Sequence, residues 1–140
     1  VDVAIHPKHE GRDHSPLFGN RACLGGQTAA LVAERKLVIA TNSTAISFAI
    51  CFDKPLILVW SDSIESGVDA RKKSFIENFA KETGAKIFNI DREYTEQELR
   101  GALVIDPAKR ESYKRKYLTS RTDDKPNYQV LLDEVINAVD

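Results

Sequence analysis

The stretch Leu37-Val38-Ile39-Ala40-Thr41-Asn42-Ser43-Thr44-Ala45-Ile46-Ser47-Phe48-Ala49-Ile50-Cys51-Phe52 changes character at its middle. Leu37 to Thr41 is a β-rich apolar run, whereas Ala45 to Phe52 is a run of small and apolar residues that suits a helix. Between them stand Asn42, Ser43 and Thr44, residue types that cap helices. A strand that stops where a helix begins leaves free backbone N–H groups and a positive dipole end at one spot, which suits a phosphate. Capping alone also accounts for these residues. The two roles are compatible, because a cap uses one hydroxyl and one or two amides.

Further apolar runs at Val1–Ile5, Leu56–Trp60 and Lys86–Ile90, with a shorter one at Ala22–Leu24, alternate with helical segments. The runs Val1–Ile5, Leu37–Thr41 and Leu56–Trp60 are continuous rather than alternating, as expected of parallel strands covered on both faces. This pattern predicts an α/β fold: a three-layer Rossmann-like domain with a mostly parallel sheet and a helical C-terminal tail. Helices are expected over Gln27–Arg35 and over Ser66–Thr83, the latter with Val68, Phe75, Ile76 and Phe79 on its apolar side and Gly84 as its stop. Thr95 with Glu98 forms a capping-box pattern opening a helix to about Leu103. Asp106 and Pro107 open another, with Tyr113 and Tyr117 on one face. A last helix, Tyr128 to Val139, carries Val130, Leu131, Val135 and Ile136, which need an apolar surface to cover.

The 140 residues fit one domain, 1–140, with a single core. A hydrophobic fraction of 42%, a charged fraction of 29% and a formal net charge of −1 disfavour a general nucleic-acid role. The longest apolar stretch, Ala45 to Trp60, is broken by Asp53-Lys54-Pro55 and falls short of the roughly 20 residues that cross a bilayer. Cys23 and Cys51 are too few for a disulfide scaffold or a zinc site, and both read as small buried hydrophobes. A reducing, cytoplasmic setting follows. Val1 already belongs to an apolar run, which suggests a piece of a longer chain.

His6-Pro7 closes the first strand, and proline turns the chain away from the sheet there. An imidazole in that place can donate to a phosphate or ribose oxygen, with Lys8 and Arg12 adding charge; the plain alternative is a histidine bonded to its own loop. His6, His9 and His14 fall close together, but their spacing matches neither a helical pair nor a zinc knuckle, so a solvated loop is expected and no metal. Gly25-Gly26 permits close backbone approach without forming a dinucleotide or Walker A fingerprint. Ser61-Asp62-Ser63 follows the strand ending at Trp60 and serves either as a third wall of the site or as the next helix cap. The candidate binding residues are therefore His6, Pro7, Lys8, Asn42, Ser43, Thr44 and Ser61, at the carboxyl ends of strands, the usual ligand position in open α/β sheets. No catalytic residue is identified.

His6-Pro7, Ser43-Thr44, the segment Ala45 to Pro55 and the helical tail together resemble the C-terminal half of GT-B glycosyltransferases of the bacterial capsule and surface-polysaccharide type. These include sialyltransferase-, polysialyltransferase- and Kdo-transferase-like enzymes. The resemblance matches His6 and Pro7 to an HP motif, Ser43 and Thr44 to a hydroxyl motif that lines the nucleotide-sugar site, and Lys54-Pro55 to the start of the next strand. Phe48 stands before Ala49 where many such enzymes carry a glutamate for the donor ribose. The resemblance implies a CMP-, UDP- or CDP-linked sugar as donor substrate, no cofactor or obligatory metal, and a glycan acceptor. It also implies an N-terminal acceptor-binding domain outside this chain, without which the domain is inactive, and a full-length enzyme at the inner face of the membrane. The alternatives are a sugar-epimerase-like enzyme and a nucleotide-binding or interaction module without transfer activity.

Overall fold

The computed structural model describes residues 1–9, 11–62, 70–119, 125 and 127–137, with the side chains of Pro7, Thr44, Ala70, Arg71 and Asn127 outside the description. Ser63, Val68, the start of the helix expected from Ser66, most of the link before Asn127 and residues 138–140 lie outside it as well. The described strands are β1 (Val3–Ile5), β2 (Cys23–Gly25), β3 (Val38–Ala40), β4 (Leu56–Trp60) and β5 (Lys86–Asn89). The α-helices are α1 (Thr28–Glu34), α2 (Ser47–Cys51), α3 (Ala70–Thr83), α4 (Glu96–Gly101), α5 (Pro107–Tyr113) and α6 (Asn127–Asn137).

Every strand pairing is parallel, so the fold is α/β as the sequence predicts. The strands divide into two hydrogen-bonded sheets, β1-β2 and β3-β4-β5. In the larger sheet Ile39 lies opposite Ile57, and Leu58 opposite Ile87. What links the two sheets at their amino ends is an ion pair: Arg35 Nε, just before β3, lies 2.7 Å from the Asp2 carboxylate, just before β1. Asp2 accordingly holds the Arg35 guanidinium above its usual pKa, first through that hydrogen bond.

Side chains alternate across a strand, so β4 feeds two cores. Leu56, Leu58 and Trp60 join Ile46, Ala49 and Ile50 from the α2 segment and Ile76 and Phe79 from α3. Ile57 points the other way, toward Phe88 and Ala102, with Tyr94 packed edge-on to Phe88 at 4.6 Å. Helical segments thus cover both faces of this sheet at β4, giving three layers there. Ile50, Leu56, Leu58 and Ile76 are almost fully buried, and each such side chain contributes about 1.5–3 kcal/mol relative to exposure.

Coverage on both faces holds for β4 but not for β1 and β3, where Ala4 and Ile39 are exposed, Ile39 by 61%. The reason lies in the connections. The β1-to-β2 crossover carries two 3-10 turns, Pro7–His9 and Ser15–Phe18, where a parallel crossover usually supplies a helix, and the second core sits over β4 and β5. Phe75 is likewise 39% exposed while Ile76 and Phe79 take the buried side of α3.

Local signals act as expected at the helix ends. Glu98 N–H donates to Thr95 Oγ1 at 3.3 Å and Thr95 N–H to Glu98 Oε2 at 2.8 Å, closing the capping box at α4. Asp106 accepts from Lys109 N–H at 3.0 Å, with Pro107 opening α5. Gly84 follows α3 at φ +75°, a conformation that favours glycine, and a Cβ there would sit 3.1 Å from Asp106 Cβ, a tight contact. Tyr113 and Tyr117 pack with tilted rings, centroids 4.8 Å apart, Tyr117 lying in a π-helical turn, Lys114–Leu118, that prolongs α5. α6 departs from expectation: Leu131, Val135 and Ile136 are more than half exposed, and of the four apolar residues expected to seek cover only Val130 is half-buried. Among the described residues no helix is long and apolar enough to cross a membrane.

Candidate functional site

His6 leaves β1 directly and is exposed. The turn that follows folds back on it: His9 N–H donates to His6 O at 2.8 Å, and Lys8 N–H donates to His6 Nδ1 at 3.1 Å. With Nδ1 accepting, Nε2 is the ring nitrogen left to donate. The loop-bonded histidine and the donor histidine are therefore the same arrangement, since one nitrogen serves the loop while the other stays available. His9 stands edge-on to His6 and to His14, with ring centroids 6.3 and 5.6 Å apart, and His14 Nε2 is 3.2 Å from His9 O. Among the described residues no group of three His, Cys, Asp or Glu side chains is placed to hold a metal ion.

Asn42 and Ser43 are exposed after β3. Ser43 Oγ accepts Ala45 N–H at 3.2 Å and Ser43 O accepts Ile46 N–H at 3.2 Å, which tightens the chain into a 3-10 turn over Thr44–Ile46. The α-helix starts only at Ser47, with Ile46 as an N-cap that makes no side-chain cap bond. A five-residue helix sums few peptide dipoles, so the dipole share of the expected phosphate site shrinks and the exposed hydroxyl and turn backbone remain. Phe48 is 37% exposed and stacks on Phe52 with centroids 6.5 Å apart.

Ser61 is 4% exposed. Its hydroxyl donates to Asp91 Oδ2 at 2.8 Å, and Asp62 N–H donates to the same oxygen at 2.7 Å. Asn89 Nδ2 donates to Asp62 Oδ1 at 2.7 Å, Asp91 N–H donates to Asn89 Oδ1 at 2.9 Å, and Ile90 N–H donates to Trp60 O at 2.8 Å. These bonds tie the carboxyl ends of β4 and β5 together. Sequence reasoning named Asp62 beside Ser61 but missed Asn89 and Asp91 as their partners. The available signal was position: Asn89-Ile90-Asp91 ends a strand parallel to β4 and must reach the same edge.

Because β3 and β4 are parallel neighbours, Asn42, Ser43 and Ser61 share that edge. His6 belongs to the other sheet, beside the Gly25-Gly26 end of β2. Among the described residues no hydrogen bond joins His6 to Ser43; the Asp2–Arg35 ion pair lies at the opposite, amino ends of their strands. The cysteines differ from expectation. Cys51 is exposed and Cys23 half-buried, because Ala49 and Ile50 take the inward face of the short α2 and leave its last residue outside. No family model, curated protein or solved structure matches the chain.

Proposed function

We propose that the chain is the donor-nucleotide-binding domain of a GT-B-type glycosyltransferase that moves a sugar from a nucleotide donor to a surface glycan. The observation that carries this reading is the placement of exposed polar residues directly after parallel strands: His6 after β1 and the Asn42-Ser43 turn after β3. Ligands of open α/β sheets sit at such ends. The amino ends of β1 and β3 are joined by Asp2 and Arg35, an arrangement that favours a common crevice at the other ends. Ser61 supports the wall of that crevice, since its hydroxyl already serves Asp91.

In this reading His6 donates from Nε2 to a phosphate or ribose oxygen of the donor while Lys8 N–H fixes the ring. The Ser43 hydroxyl, whose O–H can donate while its oxygen accepts Ala45 N–H, receives the leaving phosphate, whose charge develops as the glycosidic bond to it breaks. The base that deprotonates the acceptor hydroxyl belongs to an N-terminal domain outside this chain. Thermal-shift measurements with CMP, UDP, CDP and GDP test the proposal. Stabilisation by one of these nucleotides that is weakened by Ser43→Ala and by His6→Ala is expected; no stabilisation by any of them contradicts it and favours an interaction module.

A further inference from the structure

A cavity of about 370 Å³ lies at the other edge of the larger sheet, bordered by Asp53, Ile105, Pro107, Arg110, Glu111 and Lys114. Its volume is within the roughly 300–1,000 Å³ typical of small-molecule sites. Asp53, in a left-handed turn at φ +48°, comes between α2 and the amino end of β4. Pro107, Arg110, Glu111 and Lys114 are three or four residues apart and so share one face of α5 and its extension.

The charges here are unevenly partnered. Lys114 Nζ holds both oxygens of Asp53, at 2.9 and 3.1 Å, and Arg115 Nε holds Glu111 at 2.8 Å. Arg110 is only 3% exposed, yet among the described residues its guanidinium makes one hydrogen bond, Nη1 to Ala49 O at 3.0 Å, and Nε has no partner. A guanidinium offers five N–H donors, and a buried cation without an anion in contact is costly. Burial pulls the Arg110 pKa down, and the charge of Asp53 pulls it only partly back.

We propose that this cavity is a binding site for a small oxyanion, a carboxylate or phosphoryl group, held between Arg110 and Lys114. The ligand supplies the anionic partner that Arg110 lacks, and Lys114, whose side chain is 24% exposed, turns toward it from Asp53. Asp53 is then the like charge that opposes the ligand and sets its affinity. The site is independent of the nucleotide reading, because its residues lie at the amino end of β4 rather than the carboxyl end.

Titrations of the chain with inorganic phosphate and with acetate, each against chloride at matched ionic strength, test the site and separate a phosphoryl from a carboxylate ligand. At least one anion should bind saturably. Arg110→Gln should weaken that binding by about tenfold or more, the scale of one charge-assisted hydrogen bond. Asp53→Asn should tighten it by about threefold or more, because a like charge is removed. Should Arg110→Gln fail to fold, the exposed change Asp53→Asn carries the test alone. No saturable effect of either anion beyond chloride, or unchanged or weaker binding in Asp53→Asn, overturns the proposal.

Discussion

The two ends of β4 handle charge in opposite ways. At the carboxyl end the Asp91 carboxylate gathers the Ser61 hydroxyl and the Asp62 amide, and Asn89 bridges Asp62 and Asp91, so an anion is embedded among donors. At the amino end the Arg110 cation is buried with one carbonyl for company, while Asp53, the acid whose charge it feels, is held by Lys114. Each end also holds one buried N–H without an acceptor among the described residues, Trp60 Nε1 and Arg110 Nε. The difference teaches that a satisfied network fixes the shape of an edge, whereas an under-partnered charge marks a place where a ligand gains free energy.

The largest expected effect tests the element that joins the two ends. α2 runs from the Ser43 turn to the Asp53 turn, and Ile50 in it is fully buried. Ile50→Ala should cost about 2–5 kcal/mol in urea unfolding. A loss under about 1 kcal/mol would show that α2 is not anchored through this side chain.

Next comes the carboxyl end itself. Asp91→Ala removes the charged acceptor shared by the Ser61 hydroxyl and the Asp62 amide, and should cost about 1–3 kcal/mol. Its effect on anion binding at the amino end should be nil, since the two sites share no partner. At that end, Arg110→Met replaces a poorly partnered buried charge by an apolar chain of similar length. It should change stability by no more than about 1 kcal/mol in either direction. Equal, large losses for Asp91→Ala and Arg110→Met would erase the contrast between the ends.

The smallest effect is a control remote from both. Hydrogen bonds from the Thr95 backbone and then its hydroxyl hold the Glu98 carboxyl below its ordinary pKa. A depressed folded pKa adds stability that is present above the unfolded value, about 4.3, and is lost as pH falls through the folded value. The melting temperature of the wild type should therefore exceed that of Glu98→Gln at neutral pH and converge on it in acid. A gap that stays constant with pH would contradict the assignment.

Much of the fold was legible because its signals are local. β4 was bounded at Leu56 and Trp60 from its apolar run alone, and Thr95, Asp106, Pro107 and Gly84 declared helix ends through chemistry acting over three or four residues. Coverage was not local: the apolar run around Ile39 looks like that of β4, and its exposure depends on a crossover that forms 3-10 turns instead of a helix. At the candidate site, the turn after β3 was legible from Asn42 and Ser43, but its 3-10 start depends on where Ser43 Oγ points. Asp91 and Arg110 were illegible because their partners lie 30 and 61 residues away; Arg110, in a charged helix, reads as solvated until α2 closes over it.

The central claim, that a nucleotide binds at the carboxyl ends of the strands, is tested most directly by following backbone amide resonances while CMP, UDP, CDP and GDP are titrated in turn, with inorganic phosphate as the control. One nucleotide should shift the amides of His6, Lys8, Asn42 and Ser43 and leave those of Asp53, Arg110 and Lys114 as phosphate alone leaves them. Nucleotide shifts centred on Asp53, Arg110 and Lys114, or no shifts with any of the four, would contradict it.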